Sequence, residues 1–274
     1  MTDGARVSAA ALDLAGGQTY ASGEGVFVTA SVVKVDILTA LLLTARDAGR
    51  ELTAAERAHA EAMIVRSDND AATALWQVVG RAAGLDAANA RLGLTRTVAD
   101  ARWGLTRTTA ADRVTLLRRI FAPDAVVEEA ARAYVRELTE RVVPEQAWGV
   151  PALADPGTRW AVKNGWLPRD ATGLWVVNST GCVTVGGRVY MVAVLSDGHA
   201  SMAEGVARVE EAARDAVRRC GGAAAPTRAA PAARMPAAGA VAAVPLKGAG
   251  NCAASHALPA PADAAPPPPH GGAD

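Results

Sequence analysis

Two stretches of β-patterned sequence lie at opposite ends of the first 220 residues, and what separates them reads as helix. The first, ARVSAAALDL followed by GQTYASGEG, alternates and turns on Gly16 and Gly17, as a hairpin does. The second is three Val- and Trp-rich runs, TRWAVKNGW, GLWVVNSTGCV and RVYMVAVLS, separated by Gly-containing turns. The sheet is therefore built from both ends of the chain around an all-helical insertion. That is an α+β fold with an antiparallel sheet flanked by helices. Within the insertion, the apolar spacing over 31–49 fits a helix ending at a glycine, and 53–65 opens with T-A-A-E, a capping box. Further helices are predicted over 70–83, 109–121 and 126–141. A last amphipathic helix over 203–219 places Val206, Val209, Ala213 and Val217 on one face. The α/β part is thus 1–30 with 158–220, and the helical part 31–157.

Composition changes at Gly221. The segment 221–274 is mostly Ala, Pro and Gly with few large apolar side chains, so it cannot bury enough surface to offset its ordering entropy. It is expected to be a disordered tail; a linker or stalk is the other reading. Lys plus Arg is 28 and Asp plus Glu is 28, a balance that argues against nucleic acid or an anionic membrane surface as partner. No apolar run reaches the ~18 residues of a membrane span. Cys182, Cys220 and Cys252 indicate no disulfide framework, and the four histidines lack metal-ligand spacing, so neither a metal nor an organic cofactor is expected. No secretory signal is visible in MTDGARVSAAALDL, so the chain as written is expected to stay in the cytoplasm.

Three short motifs carry chemistry. In Ser31-Val32-Val33-Lys34 a hydroxyl at a helix start has an amine one turn along on the same face. Partly desolvated, that amine can serve as a base; an N-cap serine beside a solvated lysine fits the same letters. In Ser67-Asp68-Asn69, between two helices, Ser67 can relay a proton and Asn69 can hold Lys34 or a substrate carbonyl. A plain cap for the next helix fits as well. In Lys163-Asn164-Gly165-Trp166, at a strand end, the lysine can attract a carboxylate and Gly165 can let a ligand approach the backbone. An ordinary strand-to-turn boundary would look similar.

Taken in order, S-x-x-K, S-D-N and K-x-G are the signature set of the penicillin-recognising serine enzymes. Over about 7–219 the chain resembles the class A β-lactamases of that superfamily. The stretch ALDLAGGQTYASGEGVFVTASVVK is similar to their first hairpin and nucleophile helix. RWGLTRTTAADRVTLLRRI looks like the end of their omega loop and the helix after it. The resemblance implies that Ser31 is the acylated nucleophile and that Lys34 deprotonates it. It implies that Ser67 passes a proton to the leaving nitrogen, while Lys163 orients Ser67 and attracts the substrate carboxylate. Asn69, Asn164, Gly165 and Trp166 would bind substrate, and the backbone N–H groups of Ser31 and Trp166 would hold the oxyanion. The substrate would be a small molecule or peptide with a carboxylate, the protein a monomer, and its place outside the cytoplasm if the true start lies upstream.

The chain also departs from that family. LGLTRTVADARWGLTRTT has no glutamate where class A enzymes carry the deacylating one, and its one carboxylate is Asp100, which also suits a local cap. Without a positioned base, deacylation should be slow, since general-base catalysis is worth ~10² to 10⁴-fold. Asn164 stands where a hydroxyl is usual, and Trp166 is expected to crowd the strand that receives the substrate amide. The segment between Lys34 and Ser67 is short. The family's leading helix is not visible, so the sheet and the apolar face of 203–219 are expected to be partly exposed. A β-lactam is the default substrate and a D-alanyl peptide, as for the D,D-peptidases, the second; a penicillin-binding protein without turnover is the third reading.

Overall fold

A computed structural model of the chain describes residues 4–222; the expected disordered tail lies, from residue 223, outside the described residues. β1 (Arg6–Asp13) and β2 (Thr19–Ser22) form the hairpin, and β3 (Phe27–Val28) pairs with β4 (Arg107–Thr108) in a separate short ladder. β5 (Ala161–Pro168), β6 (Trp175–Val185) and β7 (Arg188–His199) complete an antiparallel sheet in the order β2-β1-β7-β6-β5. The β1–β7 ladder, with Ala9 opposite Val194 and Ala11 opposite Val192, joins the two chain ends as the sequence pattern required.

Period-two alternation sorts the side chains of these central strands between two cores. Ala9, Ala11, Val177, Val192 and Val194 face α7 (Met202–Gly222) and its Val209, Ala213, Ala216 and Val217. Ala10, Leu12, Met191, Ala193 and Leu195 face Phe27, Ala110 and Leu117 on the other side. The expected partial exposure of this sheet face and of the last helix is confined to its margins, where Val7 and Val206 are half-buried. Val209 and Ala213 are fully buried, and Trp148, Trp160, Trp166 and Trp175 pack over the remainder of that face.

On the opposite side lie α1 (Lys34–Asp47), α2 (Ala54–Val65), α3 (Asn69–Val78), α4 (Arg81–Leu92), α5 (Ala110–Phe121) and α6 (Glu129–Glu140). α1 is central, with Ile37, Leu38 and Leu41 excluded from solvent. The predicted capping box is present: Glu56 N donates to Thr53 Oγ1 (3.1 Å) and Thr53 N to Glu56 Oε2 (2.8 Å). Two expectations are corrected. The helix predicted from 31 begins as a 3-10 turn, Ala30–Val33, before α1 takes over. The helix predicted over 70–83 is broken at Gly80, whose φ of +88° ends one helix and starts another. Alanine-rich sequence on both sides hid that break.

A buried ion pair ties the helices together. Arg113 of α5 binds Asp36 of α1 with both nitrogens, Nη2 at 2.7 Å from Oδ1, and Nη2 also donates to Thr97 Oγ1 (3.3 Å). Thr97 Oγ1 donates to Asp112 Oδ2 (2.7 Å), and Asp112 accepts from Arg96 N (2.8 Å), so the loop before β4 joins the same network. Removing one partner of such a pair strands a charge away from water. Arg113→Ala should therefore cost roughly 3–5 kcal/mol of unfolding free energy in urea denaturation; an unchanged midpoint would refute a structural role for the pair.

Candidate active site

β3 delivers the chain to Thr29, whose N–H donates to Thr106 O (2.8 Å). Ala30 then takes φ +46°, a left-handed conformation that an L residue holds only when its surroundings enforce it. Ser31 follows, half-buried in the 3-10 turn rather than at an α-helical N-cap. The enforcement comes from the sheet. Asn178 of β6, fully buried, donates from Nδ2 to Val28 O (2.9 Å) and Thr29 O (3.0 Å), while its Oδ1 accepts from Ser196 N (3.0 Å). β5 passes so near that a Cβ on Gly165 would lie 2.6 Å from Ser31 N and 2.7 Å from Val32 N. The sequence reading gave the bare face of Gly165 to a ligand; the backbone of the Ser31 turn occupies it instead. Asn178 escaped notice in the sequence. Its signal was a polar letter amid the valines of a strand.

The S-D-N segment both caps the next helix and holds Lys34. Asp68 Oδ1 accepts from Ala71 N (2.7 Å) and caps α3, while Ser67, at φ +59°, and Asn69 turn toward Lys34. Lys34 is buried, and its Nζ donates to Ser67 O (2.6 Å), Ser67 Oγ (3.1 Å) and Asn69 Oδ1 (2.8 Å). Lys163, also buried, donates to Ser67 Oγ (3.0 Å) and Asn164 O (3.0 Å). One hydroxyl thus accepts from two amines, which leaves its own proton to be donated elsewhere. Lys34 and Ser31, one turn apart, make no hydrogen bond with each other here. All three donors of the Lys34 ammonium are taken by Ser67 and Asn69.

Burial sets the electrostatics. Desolvation lowers the Lys34 pKa from 10.5 to about 7, against a smaller upward pull from the charge of Asp68. Lys163 is held well below its usual value by desolvation first and by the charge of Lys34 second. Trp103 closes the site on another side. Its ring centroid lies 4.9 Å from Lys34 Nζ, and its Nε1 donates to Thr73 Oγ1 (3.2 Å). The Trp103–Leu105 turn that carries it packs against Ala30–Val33. Asp100, the loop's one carboxylate, accepts from Arg102 N (2.9 Å) within its own turn, the local-cap reading. The loop therefore offers Lys34 an aromatic face.

Two expected substrate-binding side chains lie elsewhere. Strand alternation puts Asn164 and Trp166 on the face opposite Lys163 and Gly165. Asn164 is buried, and its Nδ2 donates to Gln146 O (2.8 Å) and Trp148 O (3.0 Å), holding the loop before β5. The Trp166 ring packs edge-on against Trp148, centroids 5.7 Å apart, in the cluster on the α7 side, so it does not crowd the cleft. Another compositional signal was overlooked. Of 28 basic residues only Lys34, Lys163 and Lys247 are lysines. The two among the described residues are both in this site. Arginine stays charged under all ordinary conditions, whereas a buried lysine titrates.

Among the described residues no group of three or more His, Cys, Asp or Glu side chains is arranged to hold a metal ion, and no helix is long and apolar enough to cross a membrane. A search of curated protein sequences gives no match. Solved structures share the fold. PBP-A superposes with a TM-score of 0.67 at 21% identity, over 79% of this chain and 91% of that one. A beta-lactamase from Sphaerobacter thermophilus DSM 20745 gives 0.68 at 20%, over 80% and 92%. A class A beta-lactamase from Mycobacterium abscessus gives 0.68 at 20%, over 80% and 95%. The model of the beta-lactamase enzyme family matches residues 47–220, a span that takes in Ser67, Asn69 and Lys163 and begins after Ser31 and Lys34. With more than half its length matched by that model and its fold shared with these enzymes, the chain belongs to the beta-lactamase enzyme family.

Proposed function

We propose that the chain is a serine hydrolase of beta-lactamase type that forms an acyl-enzyme at Ser31 on an amide such as a β-lactam, and that it releases the acyl group slowly. The observation that carries this reading is the hydroxyl of Ser67 held between two buried amines, Lys34 and Lys163. Burial brings the Lys34 pKa down to about 7, so this amine, unlike a surface lysine, can accept a proton near neutral pH. Ser31 Oγ attacks the carbonyl carbon, and its proton goes to neutral Lys34, which exchanges one of its present bonds for the nucleophile. Negative charge collects on the carbonyl oxygen, facing the backbone N–H groups of Ser31 and Trp166. The C–N bond then breaks; Ser67 gives its proton to the leaving nitrogen and is reprotonated by Lys34. Lys163 keeps Ser67 in place and attracts a carboxylate on the leaving side.

Hydrolysis of the ester needs a water and a base. Trp103 lies over Lys34, and Asp100 is bound in its own turn, which supports slow deacylation. The same observation favours a second reading, a D,D-peptidase-like or penicillin-binding role in which fast β-lactam turnover is not the task.

Three outcomes follow. Incubated with benzylpenicillin, the purified chain should show an adduct by intact mass that persists for minutes to hours and is absent in Ser31→Ala; penicillin loss without an adduct would contradict slow release. The acylation rate should rise with pH through about 7, because the working form of Lys34 is the neutral one above that value, and fall about tenfold per unit below it; a flat profile between pH 5 and 9 would remove Lys34 as base. Gly165→Ala should displace the Ser31 turn and slow acylation on the order of 10²-fold, measured on protein whose circular dichroism matches the wild type. An unchanged rate would mean that the close approach of β5 is not needed.

A further inference from the structure

A second feature adjoins the site on the same side of the sheet. A groove of about 430 Å³ is lined by Val26, Val28, Leu174 and Val176 and edged by arginines. Its floor is continuous with the site: Val28 precedes Thr29 and Ala30, and Val176 pairs with Leu167 of β5. β5 is the edge strand of the sheet, running from Lys163 past Gly165, behind Ser31, to Leu167. The groove therefore begins beyond Ser31 on the side away from Lys163. If the leaving group lies toward Ser67 and Lys163, the acyl group lies toward the groove.

The charge there is unbalanced. Arg6 is engaged by Asp197, with Nε 2.9 Å from Oδ1, and stacks 4.7 Å from the Phe27 ring centroid. Arg107 on β4 and Arg169 in the β5–β6 turn are exposed, and neither forms an ion pair or a side-chain hydrogen bond. Many arginines in this chain are neutralised by a carboxylate, such as Arg50 by Glu56 and Arg119 by Asp124. Two guanidinium groups without one, above an apolar floor, suit a ligand with a hydrocarbon body and a carboxylate that each fork can grip.

We propose that the groove receives the acyl-donor portion of the substrate and selects one that carries a carboxylate, held by Arg107 and Arg169. This rests on the reading of Ser31 as the acylated residue. It specifies a substrate with negative charge on both sides of the scissile amide: one carboxylate toward Lys163, the other toward the two arginines.

The test compares benzylpenicillin, neutral on its acyl side chain, with its α-carboxy derivative. Acylation rates are measured by intact mass on the full chain, as wild type and as the Arg107→Ala/Arg169→Ala double variant, with melting curves to confirm folding. The ratio of the rate for the carboxy derivative to that for benzylpenicillin should fall about tenfold in the double variant. In the wild type it should fall with rising salt. A ratio indifferent to both changes overturns the proposal. If neither penicillin acylates the wild type, the reading of Ser31 fails separately, and the groove is judged by titrating the ¹⁵N-labelled chain with glutarate. A saturable shift of the Arg169 and Leu174 amides, lost in the double variant, supports the groove as a carboxylate site. No saturable shift, or one the variant keeps, overturns it.

Discussion

The side chain of Asn178 fixes where everything else in the site can stand. It reaches from β6 to the carbonyls of Val28 and Thr29 while accepting from Ser196 N on β7, so sheet and turn are joined by a side chain whose amide is satisfied on both its oxygen and its nitrogen. With the turn held there, Ala30 is forced into a left-handed conformation and β5 can lie against the turn only where it has no Cβ, at Gly165. These three residues convert a sheet made from both chain ends into a rigid backing for one serine. The strain at Ala30, on the order of 1–3 kcal/mol, is met by contacts that over-determine the turn.

The amines are positioned by different elements, Lys34 by α1 and Lys163 by β5, and they meet at Ser67, itself held at positive φ by the start of α3. Two ammonium charges on one hydroxyl repel, and both are costly to desolvate, so the cluster favours fewer protons than two solvated lysines would carry. That is a poor arrangement for stability and a useful one for moving a proton. The Asp36–Arg113 pair lies two residues along α1 from Lys34 and resolves the same burial problem with a matched pair of opposite sign. One helix thus carries a neutralised pair on its structural side and an uncompensated amine on its chemical side.

Much of this was legible in the sequence because it depends on local order. Period-two alternation marked the strands, Thr53 and Glu56 marked a helix start, and three motifs in sequence marked the residues around Ser67. What was not legible depends on which way a side chain points at close quarters. Asn164 and Trp166 stand within the third motif, yet alternation along β5 turns both toward the α7 side, where Asn164 holds the Gln146 and Trp148 carbonyls. Trp103 reads in the sequence only as part of a loop, because nothing in a single letter says that its ring will lie over Lys34. The break at Gly80 was lost among alanines that suit either one helix or two.

The distribution of lysine also bears on how electrophiles can label this protein. Strained lactams, active esters and aldehydes all react with accessible primary amines, and most proteins carry a surface coat of lysines that collect such adducts indiscriminately. Here the described surface is basic through arginine, which these electrophiles leave alone, and its two lysine amines are sealed around Ser67. On the described part of the chain an acylating reagent therefore meets no background of side-chain amines, and a stable covalent label reports the interior of the cleft.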